Sequence, residues 1–106
     1  MLADDERSLV RRSRERDLQA YGELVQLHQA AVFRVCWRLL GERAAAEDAA
    51  QDVFLRAYER LDSFDDSRPF GPWIRKVAAN WCLNRLAVLR PEQRLEEDDD
   101  RGPMGP

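Results

Sequence analysis

Residues 46–86 have the sequence AEDAAQDVFLRAYERLDSFDDSRPFGPWIRKVAANWCLNRL, which contains the strongest indications of secondary structure in the chain. Apolar residues in its first third recur at steps of three and four, which predicts a helix from about residue 44 to residue 61. Turn-forming residues then predict a loop over residues 62–71. Apolar residues resume at helical spacing beyond it and predict a last helix from residue 69 or 72 to about residue 89.

Two more helices are predicted upstream of this stretch. Asp4 to Arg16 can form a short charged helix, which needs a neighbour to persist because it has few apolar residues. Asp17 and Gly41 are suitable caps for a long helix of about 24 residues between them. The positions of that helix expected to face the core are Leu18, Tyr21, Leu24, Val25, Leu27, Ala31, Val32, Val35, Cys36 and Leu39. The sequence therefore predicts an all-α protein, a compact bundle of about four helices.

Length and composition bound the class of protein. A chain of 106 residues holds one domain, expected over residues 1–90, and the acidic residues 91–106 are typical of a linker or tail. No run approaches the about 20 consecutive apolar residues of a membrane helix, and the N-terminus lacks the apolar segment of a secretory signal. We therefore expect a cytoplasmic protein without a membrane partner.

The net charge of −3 hides a separation of charge along the chain. Residues 42–66 contain eight acids against three arginines, whereas residues 67–90 contain five cations and no acid. Such a separation indicates two surfaces that meet two different partners.

The acidic segment carries a ridge at helical spacing on the third helix. Its members are Asp48, Gln51, Asp52, Leu55 and Glu59. An acidic ridge with an apolar residue in its middle could receive a basic helix, although a merely solvated acidic face has the same composition.

The basic segment combines aromatic rings with cationic and amide side chains. Single-stranded nucleic acid needs this mixture, because cations bind phosphates and rings stack on bases. Trp73 and Trp81 could equally be core residues, and Trp81 lies in the apolar stripe of the last helix with Ile74, Val77 and Cys82.

Several motifs together resemble region 2 of bacterial RNA polymerase sigma factors of the extracytoplasmic-function (ECF) group, in the sigma-70 family. The motifs are AEDAAQDVFLRAY at 46–58, LDSF at 61–64 and the F..WI..VA.N pattern at 70–80. The segment RDLQAYGELVQLHQAAVFRVCWRLLG at 16–41 is similar to the first long helix of the family. The resemblance covers roughly residues 8–90, and several fixed spacings over that length are more specific than one motif.

The resemblance implies the sigma region 2 fold and a division of labour between its helices. The third helix would dock on the coiled coil of the β′ subunit of core RNA polymerase, through the ridge residues Asp48, Gln51, Asp52, Leu55 and Glu59. The loop and last helix would recognise the promoter minus-ten element and help to melt it by capturing the non-template strand. The implied DNA-binding residues are Phe64, Asp65, Ser67, Arg68, Phe70, Trp73, Arg75, Lys76, Asn80, Asn84 and Arg85. An anti-sigma factor that covers the same surfaces is implied as a further partner.

Two features differ from the family pattern. A complete member has a second helical domain for the minus-thirty-five element after the linker, and these 106 residues do not include it. Pro72 stands where the family usually has an ordinary helix former, and we expect it to add rigidity.

No catalytic constellation, cofactor motif or metal site is predicted, so we expect a protein that is not an enzyme. His28 has no serine or cysteine at catalytic spacing, and Cys36 and Cys82 are expected to be reduced core thiols. Asp65 and Asp66 lack a supporting histidine or a Gly-rich phosphate loop. Two alternatives stay open. One is a protein-interaction module that does not recognise DNA, such as a sigma-like decoy or an anti-sigma-binding fragment, and the weaker one is a small helical enzyme.

Overall fold

The computed structural model describes residues 2–89, so the expected linker or tail at 91–106 lies outside the described residues. The described chain forms four α-helices and a short 3-10 helix. They are α1 (Leu2–Arg14), α2 (Leu18–Leu40), α3 (Arg43–Glu59), the 3-10 helix (Leu61–Ser63) and α4 (Phe70–Leu89). The predicted all-α bundle of about four helices is confirmed. Among the described helices, none is both long and apolar enough to cross a membrane.

The caps predicted for the long helix define the ends of α2. The Asp17 carboxylate accepts hydrogen bonds from the N–H groups of Gln19 (3.1 Å) and Ala20 (3.2 Å), two donors that a helix start leaves unpaired. Gly41 has a φ of +73°, which glycine adopts without a Cβ clash, and its N–H donates to the Trp37 carbonyl. The helix therefore begins and ends where the sequence predicts.

α2 is the central helix, because it packs against α1, α3 and α4. Leu24 and Val32 are fully buried between these neighbours. Two predicted core positions are wrong, since Leu18 and Leu27 expose 68% and 58% of their surface. The neighbouring helices cover only part of the circumference of α2, and these two leucines project from the uncovered part.

The boundaries of α3 and α4 differ slightly from the prediction. α3 ends at Glu59, and Leu61 enters the core from the 3-10 helix instead. α4 begins at Phe70, between the two predicted starts. Pro72 is exposed in the first turn of α4, where its missing N–H costs no helical hydrogen bond. Trp81 is only partly buried, although it packs against the core as predicted.

α1 ends at Arg14 rather than at Arg16, because the chain reverses there. Arg16 has a φ of +69°, a left-handed conformation that residues with a Cβ rarely adopt. Two contacts of its side chain offset this cost. The guanidinium lies 4.6 Å from the centroid of the Tyr58 ring and donates to the Tyr58 carbonyl (3.0 Å).

Candidate functional site

The predicted acidic residues share one outer surface of α3, which we call the α3 ridge. It consists of Asp48, Gln51, Asp52, Leu55 and Glu59. Asp52 is half-buried and the other four are exposed, Leu55 with 65% of its surface. None of the three carboxylates forms an ion pair with another described residue. The ridge therefore presents uncompensated negative charge around an exposed leucine.

An apolar groove between α2 and α3 adjoins the ridge. It has a volume of about 850 Å³, and aromatic side chains such as Tyr21, Phe33 and Phe54 line it. Leu55 of the ridge and Leu18 of α2 also line this groove. This role of Leu18 was not predicted from the sequence, because its position in the apolar stripe indicated the core. A helix with an apolar face fits such a groove, while the acids beside it favour a basic partner.

The loop between α3 and α4 is held by Arg14 of α1, a residue that the sequence analysis did not single out. Its guanidinium donates to the carbonyls of Leu61 (3.3 Å), Asp62 (3.0 Å) and Phe64 (2.6 Å), and it pairs with the Asp66 carboxylate (3.2 Å). Arginine can bind several acceptors at once because it has five donors in a fixed plane. Nothing in the run RRSRER distinguishes Arg14 from its neighbours, so the sequence has no signal for this role.

Three predicted DNA-binding residues of the loop bind each other. The Asp65 carboxylate accepts hydrogen bonds from the Ser67 hydroxyl (2.7 Å) and the Ser67 N–H (3.0 Å), and it lies 3.7 Å from Arg68. These hydrogen bonds hold the pKa of Asp65 below its usual range, and the one from the hydroxyl has the larger effect. All three residues are exposed, so they shape the loop while remaining accessible.

Phe64, Phe70 and Trp73 form an aromatic cluster at the base of the loop. The ring centroid of Phe64 lies 4.9 Å from that of Trp73 and 5.6 Å from that of Phe70. Phe64 and Phe70 expose only 3% and 2% of their surface, whereas Trp73 is half-buried. Of the three rings proposed to meet DNA, only Trp73 is accessible here, and the two phenylalanines support it from the core.

A small cavity of about 190 Å³ lies between α1 and the loop. Glu6 and Arg7 contribute polar groups from α1, while Phe64, Ser67 and Phe70 contribute from the loop and the start of α4. Charged groups on one side and aromatic rings on the other suit a small planar group with polar edges. Neither Glu6 nor Arg7 belongs to the site predicted from the sequence.

α4 carries the remaining predicted residues, of which Lys76, Asn80 and Asn84 share one side of the helix with Trp73. Arg75, Lys76 and Arg85 are exposed, and Asn80 and Asn84 are half-buried. The three cations form no ion pair with any described residue. The Nδ2 atom of Asn80 is buried and has no hydrogen-bond partner in the described part of the chain. α4 therefore carries uncompensated cations, of which Arg75 and Lys76 lie in its first two turns, near the loop.

The residues predicted to be structural have packing roles. His28 Nε2 lies 2.6 Å from a carboxylate oxygen of Glu6, and its ring lies 5.3 Å from that of Phe70. Cys36 and Cys82 are buried free thiols, as predicted. Their mutual hydrogen bond and then burial raise the pKa of the Cys82 thiol. Within residues 2–89, no group of three or more His, Cys, Asp or Glu side chains could hold a metal ion.

Comparison with known proteins identifies the family of this bundle. The profile of the Sigma-70 region 2 family matches residues 24–90, which cover most of α2, all of α3, the loop and α4. The chain therefore belongs to the Sigma-70 region 2 family.

Curated relatives extend the similarity to ECF sigma factors. The ECF RNA polymerase sigma factor SigW of Bacillus subtilis (strain 168) is 32% identical over 89 residues, which are 84% of this chain and 48% of SigW. The ECF RNA polymerase sigma factor BldN of Streptomyces coelicolor is 34% identical over 103 residues, covering 90% of this chain and 39% of BldN. This chain thus spans about half the length of SigW, and less of BldN. Sigma factors are transcription initiation factors and not enzymes, which agrees with the expected absence of catalysis.

A solved structure has the same fold. It is an NMR structure of an engineered region 2 of sigmaE in complex with GTAAAA. It is 31% identical with a TM-score of 0.75, and the match covers 85% of this chain and 94% of that one. The arrangement of helices is therefore that of sigma region 2, as the sequence resemblance implied.

Proposed function

We propose that this domain binds core RNA polymerase through the α3 ridge and the adjoining groove, and recognises the opened promoter minus-ten element through the loop and α4. One observation carries the proposal: uncompensated acids lie on α3, whereas uncompensated cations lie on α4. Opposite charges on separate helices allow a protein and a nucleic acid to bind at the same time. The GTAAAA complex of the sigmaE region 2 supports the nucleic-acid part of the proposal.

The polymerase partner is the coiled coil of the β′ subunit. Arginines of a partner helix can form charge-assisted hydrogen bonds with Asp48 and Asp52. Leu55 would be buried in the interface between these charged pairs, and a desolvated apolar centre within a polar rim is typical of a binding hot spot. Leu18 extends the apolar surface to α2, so the contact spans both walls of the groove.

Strand capture needs a site for a base that has left the stack, at a cost of a few kcal/mol. The cavity between α1 and the loop is the candidate site, and the half-buried Trp73 is the candidate stacking ring. Lys76 and Arg75 can hold phosphates nearby. The Nδ2 atom of Asn80 has no hydrogen-bond partner among the described residues, so a base edge that accepts from it would replace no existing bond of that atom.

The test is binding of the 106-residue chain to single-stranded GTAAAA and to a pool of randomised hexamers, measured by fluorescence anisotropy. The triple variant Trp73→Ala, Lys76→Ala, Asn80→Ala should bind at least about tenfold more weakly, since one stacked base alone contributes about 1–3 kcal/mol. The matched control replaces Trp37, which exposes 44% of its surface on α2, and the paired Arg12. Equal affinity of the triple variant and the control would overturn strand capture.

A second candidate function is a protein-interaction module that occupies polymerase or an anti-sigma factor without recognising DNA. The burial of Phe64 and Phe70 favours it, because outside the small cavity between α1 and the loop these two rings offer bases almost no surface. The apolar groove with its exposed Leu18 and Leu55 would be sufficient for such a role. A core polymerase complex that binds the hexamers no better than polymerase alone would support this alternative.

A further inference from the structure

A second groove lies on another side of α2, where this helix packs against α4. Its volume is about 530 Å³. We call it the arginine groove, because Arg34 and Arg38 of α2 and Arg75 of α4 line it. All three arginines are exposed. Small and aliphatic residues, including Val35 and Ala79, form the rest of its lining.

The packing of α2 on α4 brings these arginines together. The two helices run in the same direction, since His28 lies beside Gly71 at one end and the free thiols of Cys36 and Cys82 are hydrogen-bonded at the other. Gly71 allows this close approach, because a Cβ there would lie 3.2 Å from Arg75 Nη1 and 3.4 Å from His28 Cε1.

Arg34 and Arg38 are separated by about one helical turn, which is about 6 Å along the axis. Both therefore project along the same side of α2, towards Arg75.

The charge of the arginine groove is uncompensated. Residues 24–41 and 67–90, which include every lining residue, contain no aspartate or glutamate. None of the three arginines forms an ion pair with a described residue. Three like charges around one groove repel each other, and an anionic ligand with several charges relieves that repulsion.

The lining also distinguishes between nucleic acids. None of the residues that line the groove is aromatic, so it has no ring on which an unstacked base could lie. A duplex hides its base faces and presents phosphates, which arginines bind. We infer that the arginine groove holds the sugar–phosphate backbone of double-stranded DNA.

The position of the groove fits a duplex that flanks an opened strand. Lys76 follows Arg75 on α4 and lies on the helix face that also carries Asn80, so the groove continues the proposed strand-capture surface onto α2. Only the placement of the duplex next to an opened strand depends on the proposed function. Backbone binding by the three arginines requires neither base capture nor polymerase.

The test compares a mixed-sequence duplex with single-stranded GTAAAA, both titrated with the 106-residue chain over a range of salt concentrations. The variant is Arg34→Ala with Arg38→Ala. The control is Arg12→Ala with Arg43→Ala, which removes the same charge from α1 and α3 at arginines that already pair with Asp17 and Glu47. Circular dichroism checks that both variants are helical.

The variant should bind the duplex several-fold more weakly than the control does. The slope of log K against log salt should become shallower by about 2, because two phosphate contacts are lost. Single-strand binding should stay within about twofold of the control.

Four other outcomes would each overturn the inference. They are no duplex binding by the unchanged chain, unchanged duplex binding by the variant, an equal loss for duplex and single strand, and a loss of core polymerase binding with DNA binding intact. Failure of the proposed function has a different signature. Single-strand binding would then be absent or insensitive to Trp73, Lys76 and Asn80, while duplex binding could still depend on Arg34 and Arg38.

Discussion

Replacement of Arg14 by alanine should loosen the loop on which strand capture depends. The Arg14 guanidinium joins the end of α1 to three carbonyls and one carboxylate that lie 47 to 52 residues further along the chain. The side chain exposes 27% of its surface, and its bonds to Leu61, Phe64 and Asp66 are partly buried. Alanine would therefore leave acceptors that water reaches only in part.

A hydrogen bond to a charged group contributes about 1.5–3 kcal/mol, but exposed bonds contribute less. Because the contact to Asp62 is exposed and the others are only partly buried, we expect Arg14→Ala to lower the free energy of unfolding by about 2–4 kcal/mol. This is a large fraction of the about 5–15 kcal/mol that stabilises a typical domain. Arg14→Lys keeps the charge but has three donors without the planar fork, so it should recover about half of the loss.

Urea denaturation followed by circular dichroism measures the change, with an unchanged m-value as the sign that the folded state stays compact. Amide hydrogen exchange in residues 61–68 should accelerate more than exchange in α2. Arg12→Ala is the control, because Arg12 forms an exposed ion pair with Asp17 and should cost at most about 1 kcal/mol. If Arg14→Ala is no less stable than Arg12→Ala, the loop does not depend on this guanidinium.

Three further predictions test other parts of the structure. Asp48→Arg with Asp52→Arg should abolish pull-down of core polymerase and leave the helical circular dichroism spectrum intact, whereas the control Glu15→Arg with Glu23→Arg should still bind. Retained binding by the Asp48 and Asp52 variant would contradict a polymerase contact through the α3 ridge. Tyr21→Phe should cost about 1 kcal/mol in urea denaturation, because phenylalanine removes the buried hydrogen bond that the Tyr21 hydroxyl donates to the Phe54 carbonyl (2.5 Å); a loss below about 0.5 kcal/mol contradicts this. Hydrogen bonds, from Ala20 N–H to Asp17 and from Ser67 to Asp65, hold the pKa of both carboxyls below 3.8. Their contribution to the free energy of unfolding is therefore present at neutral pH and lost as the pH falls below 3.8. Asp17→Asn with Asp65→Asn should make this loss of stability at acidic pH smaller. An unchanged dependence of stability on pH would show that these hydrogen bonds are not its cause.

Local sequence signals were sufficient to predict where the helices lie and which of their faces are buried. The side chain of Asp17 and the permissive backbone of Gly41 act within a few residues, so α2 could be bounded from the sequence alone. The spacing of apolar residues on α3 likewise separated the buried face from the ridge, because neighbours cover only one side of that helix. Leu18 and Leu27 were misplaced because periodicity shows which residues share a face but not how far the neighbouring helices extend.

Long-range contacts of the candidate site could not be predicted in the same way. Arg14 binds a loop about fifty residues away, and no local pattern separates it from Arg11 or Arg12. The aromatic residues of the loop were recognised, but only the packed structure distinguishes the buried Phe64 from the accessible Trp73. A composition that suits nucleic acid is thus compatible with rings that fill the core.

The contribution of α1 follows from these contacts. The family profile begins at residue 24, after α1 has ended, yet α1 supplies the guanidinium that holds the loop and three side chains of the adjoining cavity. Glu6 also pairs with His28, which packs on Phe70 at the start of α4. α1 therefore contacts the loop through Arg14 and reaches the start of α4 through Glu6 and His28. The α3 ridge takes part in neither contact. Because α1 contacts the loop directly but does not pack against α3 within the described residues, a change in α1 should affect DNA capture before it affects the polymerase contact.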